Sequence, residues 1–227
     1  MREIVLDTET TGLDPFTGDR IVEIGAVELF NHMPTGETYH QYINPERDMP
    51  AGAFAVHGLS IEFLSDKPVF ANVAQAFLDF IGDSRLIIHN AAFDMKFLNA
   101  ELDGASFKKI PMSRSLDTLA IARKKYAGAQ NSLDALCRRF GIDNSSRTLH
   151  GALLDSEILA EVYLELIGGR QPDFVLSVVK TNTNSGPVAD FIPPKRPSPL
   201  SPRLSENENA AHDTFIKALD GETLWKT

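Results

Sequence analysis

The sequence predicts an α/β domain, a mixed sheet flanked by helices, followed by a flexible tail that ends in a short helix. Three observations predict it. Short β-branched runs dominate the first 45 residues, strand and helix patterns alternate from residue 66 onward, and the composition changes sharply near residue 170.

Ile4-Val5-Leu6 is a short apolar run that fits a buried strand. The stretches 21–30 and 38–43 predict second and third strands, with Gly12, Pro15 and Gly18 as turn signals between the first two. Pro68, behind Asp66, predicts a helix start, with Val69, Val73, Ala76, Phe77 and Phe80 on one face. Residues 85–89 read as a strand that runs into a helix carrying Phe93, Phe97 and Leu98. Helices over 116–126, over 133–140 (stopped by Gly141) and over 149–167 (stopped by Gly168-Gly169) complete a domain spanning residues 1–170.

Seven of the 13 prolines fall between Pro172 and Pro202, and the run IPPKRPSPLSPR is rich in proline, serine and base. Such a stretch cannot bury enough apolar surface to offset its ordering entropy, so residues 171–204 read as a flexible linker. Order resumes after it. Ser205 and Glu208 form an S-x-x-E capping box, and Ala211, Phe215 and Leu219 share a helical face before Gly221. One short amphipathic helix cannot bury that face on itself, and the single tryptophan, Trp225, lies just beyond it. Residues 205–227 therefore read as a docking segment for a partner.

Composition narrows the function classes. Of 227 residues 43% are hydrophobic, which supports a sizeable core, yet no run reaches the length of a membrane span. The opening MREIVLDTET lacks the apolar centre of a secretory signal, and the single Cys137 excludes an internal disulfide framework and a cysteine zinc site. A cytoplasmic protein is expected. The net charge of −9, from 31 acidic and 22 basic residues, at first argues against a nucleic-acid binder, which usually carries a basic footprint.

The acidic residues are not scattered. Asp7 and Glu9 stand two apart at the end of the first strand, so their carboxylates point to the same face. Two such groups repel unless a cation lies between them. A solvated strand end, where acidic residues are common, is the plainer explanation of this pair alone. In HNAAFD a strand runs through a polar turn into a helix and leaves Asp94 near its start, where helix capping is the plainer role. In HGALLD, His150 and Asp155 are about a turn and a half apart if both lie on one helix.

The ordered series D-x-E, then Asp after an N-A-A-F turn, then H-x4-D, resembles the three motifs of the DEDDh exonucleases. That resemblance implies an RNase H-like mixed five-stranded sheet. It also implies that Asp7, Glu9, Asp94 and Asp155 hold two divalent metal ions, Mg²⁺ or Mn²⁺, and that His150 is the general base. The segments IVLDTETTGLDP, INPERDMP, VHGLS, HNAAFDMKFL, NSLDALCRRFGI and LHGALLDSEILAEVYLEL are similar to the epsilon proofreading subunits of bacterial DNA polymerase III, over nearly all of residues 1–170. This narrower resemblance implies a replisome-associated 3′–5′ exonuclease that releases nucleoside 5′-monophosphates from mispaired or single-stranded DNA 3′ ends.

The family layout also assigns the tail. Phe215, Leu219 and Trp225 would bind the polymerase (alpha) subunit. Gln171, Phe174 and Leu176 resemble a sliding-clamp-binding peptide, although Pro172 and the spacing match imperfectly and an ordinary linker fits as well. Around the active centre, Thr10, Gly12 and Leu13 in the loop after Glu9, with His57 and Asn90, are candidates for contacting the terminal nucleotide beside Asp7, Glu9 and Asp155. Local turn formation and hydrogen bonding are the competing roles for Gly12 and Asn90. Arg123-Lys124-Lys125 and Arg138-Arg139 read as solvated helix faces.

Two rivals remain at this stage: an RNA-trimming, oligoribonuclease-like enzyme, and a catalytically idle adaptor between polymerase and clamp. The charge is also reinterpreted. Residues 1–170 carry 24 acidic and 16 basic side chains, and four of those carboxylates are assigned to metals. The remaining acidity predicts weak independent binding to DNA, which suits an enzyme brought to its substrate by a tether.

Overall fold

The computed structural model describes residues 1–145, 147, 149–168 and 205–218. The chain divides into two units, Met1–Val175 and Leu176–Thr227. The first unit contains β1 (Arg2–Thr10), β2 (Ile21–Phe30), β3 (Met33–Tyr42), α1 (Ala51–His57), α2 (Ile61–Leu64), α3 (Phe70–Ile81), β4 (Arg85–Ile88), α4 (Ala91–Gly104), β5 (Ser115–Asp117), α5 (Thr118–Lys125), α6 (Leu133–Phe140) and α7 (Ala152–Leu166). The strands form one sheet in the order β3-β2-β1-β4-β5. The β1/β2 and β2/β3 pairs are antiparallel, and β1/β4 and β4/β5 are parallel. This is the RNase H-like mixed five-stranded sheet that the motifs imply.

Alternation along β1 sends Ile4 and Leu6 to one face and Val5 to the other. Ile4 and Leu6 join Phe70, Phe77 and Leu98 under α3 and α4. Val5 joins Leu136, Leu159, Val162 and Tyr163 under α6 and α7. Asp7 and Glu9 continue the Val5 face, so the helix that covers them is α7, which packs on β1 and β2. Close approach there depends on Gly25, paired with Asp7 across the β1/β2 ladder, while Ser156 Oγ donates to the Gly25 carbonyl at 2.9 Å.

Several boundaries differ from the sequence reading, each for a local reason. The helix expected at Pro68 begins at Phe70, after Val69 takes an extended N-cap conformation with ψ 158°. The helix expected over 116–126 begins at Thr118, because Ser115–Asp117 pairs with β4 as a fifth strand. Asp117 then caps Leu119 and Ala120 with its side chain. The third strand starts at Met33 rather than 38, made possible by a tight turn in which Asn31 and His32 both have positive φ. Helices α1 and α2 carried no signal in the sequence reading. The helix expected from residue 149 starts at Ala152, because Gly151 is extended at φ −149°. His150 therefore precedes the helix instead of riding on it.

The second unit contains α8 (Glu206–Ala218). Its capping box is formed: the Ser205 N–H donates to Glu208 Oε2 at 2.8 Å, and the Glu208 N–H donates to Ser205 Oγ at 3.3 Å. Phe215 is exposed on this helix. Gln171, Phe174, Leu176, Leu219 and Trp225 lie outside the described residues. Among the described residues no helix is long and apolar enough to cross a membrane.

Candidate active site

Three elements deliver the four motif carboxylates to one cleft of about 320 Å³, which Asp134 of α6 also lines. Asp7 and Glu9 come from β1, Asp94 from the first turn of α4, and Asp155 from the first turn of α7. Thr8, on the opposite face of β1 from Asp7, donates its hydroxyl to Asp94 Oδ1 at 2.7 Å and fixes the carboxylate that arrives from the other side of the sheet. His150 stands at the mouth, exposed, with its N–H bonded to the Val56 carbonyl at 3.1 Å and Nδ1 3.3 Å from Asp155 Oδ2. The proximity expected of His150 and Asp155 is present, achieved by the extended Gly151 and not by a shared helix. Glu9, His150 and Asp155 offer ligand atoms that all lie within 4.8 Å of one another.

The charges in this cleft conflict. Burial first, then Asp94, Glu9 and Asp155, push the Asp7 carboxyl well above the usual range. Burial and the neighbouring Asp155, Glu23 and Asp94 push Glu9 up to about 8. Burial raises Asp94 to about 7 despite the Thr8 hydrogen bond. Burial would raise Asp155 as well, but hydrogen bonds and charge from His150 and Arg147 outweigh it and hold this carboxyl low. Four carboxylates lining one cleft, three of them pushed toward protonation, fit hard divalent cations, which relieve the repulsion and prefer oxygen ligands.

A second cleft of about 490 Å³ adjoins the first, sharing Thr8, Glu9 and Phe93 with it. Thr10, Gly12, Leu13 and His57 all line it, so four of the five nucleotide-contact candidates are brought together. The fifth, Asn90, is exposed in the carboxylate-lined cleft, in left-handed backbone at φ 69°. His57 is buried, and its Nδ1 accepts from the Leu59 N–H at 3.0 Å. That leaves Nε2 as a donor, and it is buried without a hydrogen-bond partner. Burial lowers this imidazole, so it stays neutral. Thr10 spends its hydroxyl on the Gly12 carbonyl at 2.6 Å. Gly12 has a structural reason of its own, since a β-carbon there would meet the Asp19 carboxylate at 2.2 Å. Leu13 is exposed at the lip.

Sequence reasoning missed several residues. Asp19 organises the loop after β1 by accepting from the Asp14 N–H at 3.1 Å and pairing with Arg47 at 2.8 Å. Glu23 lies opposite Glu9 in the ladder, buried and 2.7 Å from His40 Nε2. The Arg147 side chain is largely covered in the carboxylate-lined cleft and joins Asp134, His150 and Asp155. A lone arginine three residues before His150, in an otherwise acidic set of motifs, was the available signal.

The sheet order and the convergence of these carboxylates with a histidine define a 3′–5′ exonuclease domain, and the family model described as Exonuclease (RNase T) matches residues 4–163. Curated relatives named DNA polymerase III subunit epsilon include that of Rickettsia felis, 57% identical over 188 residues that cover 82% of each chain. That of Escherichia coli K12 is 44% identical over 237 residues, covering 99% of this chain and 97% of the relative. The chain belongs to the DNA polymerase III subunit epsilon family within these exonucleases, and its function is that of a proofreading 3′–5′ exonuclease. Among solved structures, the nuclease domain of 3′hExo, a DEDDh family member bound to rAMP, superimposes with TM-score 0.64 at 20% identity, covering 73% of this chain and 91% of that one. Exonuclease X in complex with 5′ overhanging duplex DNA gives 0.58 at 24% identity, covering 72% and 90%. At these identities the two structures show the shared fold.

Proposed function

We infer that the chain excises mispaired 3′-terminal nucleotides from DNA with Asp7, Glu9, Asp94 and Asp155 as ligands of two Mg²⁺ or Mn²⁺ ions and His150 as general base. The observation that carries this reading is the convergence of the four carboxylates from β1, α4 and α7 beside His150. When bound, the cations would neutralise the scissile phosphate and stabilise the attacking and leaving oxygens. The chain's own residues supply the rest. His150, exposed at the cleft mouth, accepts the proton of the attacking water. The apolar walls offered by Leu13, Val56 and Phe93 suit a terminal base, and the unpartnered His57 Nε2–H suits an oxygen of that nucleotide. A pocket for one unpaired nucleotide makes the duplex end open first, at a cost of a few kcal/mol that is smaller for a mismatch. Selectivity for errors then needs no base-specific contact.

Residues 1–170 form the nuclease in this reading, 171–204 link it, and 205–227 dock on the polymerase subunit of DNA polymerase III. Gln171, Phe174 and Leu176 are assigned to the sliding clamp, and Phe215, Leu219 and Trp225 to the polymerase. The relatives' name and the formed capping box of α8 support this division. Turnover on single-stranded DNA against short RNA tests the substrate, and a strong preference for RNA dinucleotides would contradict it. Deletion of 205–227 tests the tail: polymerase co-purification should be lost with nuclease activity retained.

A further inference from the structure

A buried cation already stands inside a cleft built for cations. The Arg147 side chain is only 7% exposed, and all three guanidinium nitrogens are engaged. Nε pairs with Asp155 Oδ1, and Nη2 donates to Asp155 Oδ2 at 2.7 Å. Nη1 donates to Asp134 at 2.7 Å, and Nη2 also reaches His150 Nδ1 at 2.8 Å. The fork thus grips the carboxylate and the imidazole that the reaction requires. Nη2 holds the same two atoms, His150 Nδ1 and Asp155 Oδ2, that lie 3.3 Å from each other.

We propose that Arg147 is a positioning residue that latches the metal-free site and is displaced from Asp155 when a divalent cation binds. The inference rests on the reading of this cleft as a metal site. Asp134, in the first turn of α6, is the anchor that retains the arginine after release. It also accepts from Asn144 Nδ2 at 2.9 Å, which ties the segment leading to His150 to the same point. Withdrawal of Nη2 frees His150 Nδ1 and Asp155 Oδ2 together, so cation binding releases the imidazole as well as the carboxylate.

Mn²⁺ binding to the full chain, without DNA, tests the latch by electron paramagnetic resonance of the free ion. Arg147→Gln removes the competing charge and should bind Mn²⁺ roughly tenfold tighter, with a lower metal-free melting temperature and a larger rise on loading. Arg147→Lys keeps the charge and should stay within about threefold of the unmodified chain. Unchanged or weaker Mn²⁺ affinity in Arg147→Gln, with the unmodified chain binding normally, would overturn the latch alone. Failure of the unmodified chain to bind Mn²⁺ would overturn the metal-site reading and the latch with it. Should Arg147→Gln not fold, the Arg147 Nε–Hε resonance of the unmodified chain decides: it should shift on Mg²⁺ saturation, and a resonance that stays in place overturns the proposal.

Discussion

Gly25 on β2 stands so close to the start of α7 that a β-carbon on it would lie 2.1 Å from the carbonyl carbon of Ala152. Gly25 also pairs with Asp7 across the ladder, and Ala152 is three residues before Asp155. The missing side chain therefore sets the distance between a β1 carboxylate and the α7 carboxylate. Gly25→Ala forces α7 away from the sheet at the end that carries Asp155. Backbone atoms are what the new methyl meets, so the strain cannot be relieved by a rotamer change. The expected cost is about 3 kcal/mol of stability and at least a roughly 100-fold loss of turnover from misplacing Asp155. Thermal melting and single-turnover digestion measure both, and unaltered turnover would refute the assigned role.

Thr8 should matter through one bond. Its hydroxyl donates to Asp94 Oδ1 at 2.7 Å in a buried setting, and it is the largest of the hydrogen bonds that oppose the upward push of burial on that carboxyl. Thr8→Val removes the donor while keeping the branched shape. We expect a loss of about 1–2 kcal/mol in stability and an Mn²⁺ affinity several-fold weaker, read by titration calorimetry. Equal affinity in the two proteins would show that Asp94 does not depend on Thr8.

Stability of the metal-free protein should fall as pH rises. Burial and neighbouring acids lift Glu9 to about 8 and Asp94 to about 7 in the folded chain, while such groups titrate near ~4 when unfolded. The folded state therefore holds more protons than the unfolded state between pH ~4 and ~8, and raising pH through that window favours unfolding. A drop in melting temperature of roughly 10 °C from pH 6 to pH 8 is expected without metal. Saturating Mg²⁺ should reverse the slope, because the ionised carboxylates are the proposed ligands. A metal-free melting temperature that climbs across this interval would contradict the electrostatic account.

Much of this site was legible in the sequence because its parts are local. The i, i+2 spacing of Asp7 and Glu9 sits inside β1, and the strand-turn-helix around Asp94 is written in a few consecutive residues. The second strand and α6 match their expected bounds, since apolar periodicity and the Gly141 stop act within one element. What was not legible depends on partners far along the chain. Ser115–Asp117 is a strand only because β4 lies beside it, and Gly25 is needed only because α7 returns to it. His150 leaves the helix at a glycine whose extended conformation the spacing alone does not reveal. Arg147 gains its meaning from Asp134 and Asp155, which approach it only after folding.

The most direct measurement is Mg²⁺-dependent digestion of a primer with a mismatched 3′ end, by the unmodified chain and by Asp7→Ala. Asp7 lines the cleft from β1, where burial and three neighbouring acids act on it. The unmodified chain should release nucleoside 5′-monophosphates, stop on chelation, and cut mismatched ends faster than paired ones. Asp7→Ala should retain its fold and lose at least roughly 1,000-fold in rate. An Asp7→Ala protein that digests the primer at the unmodified rate would contradict the account at its centre.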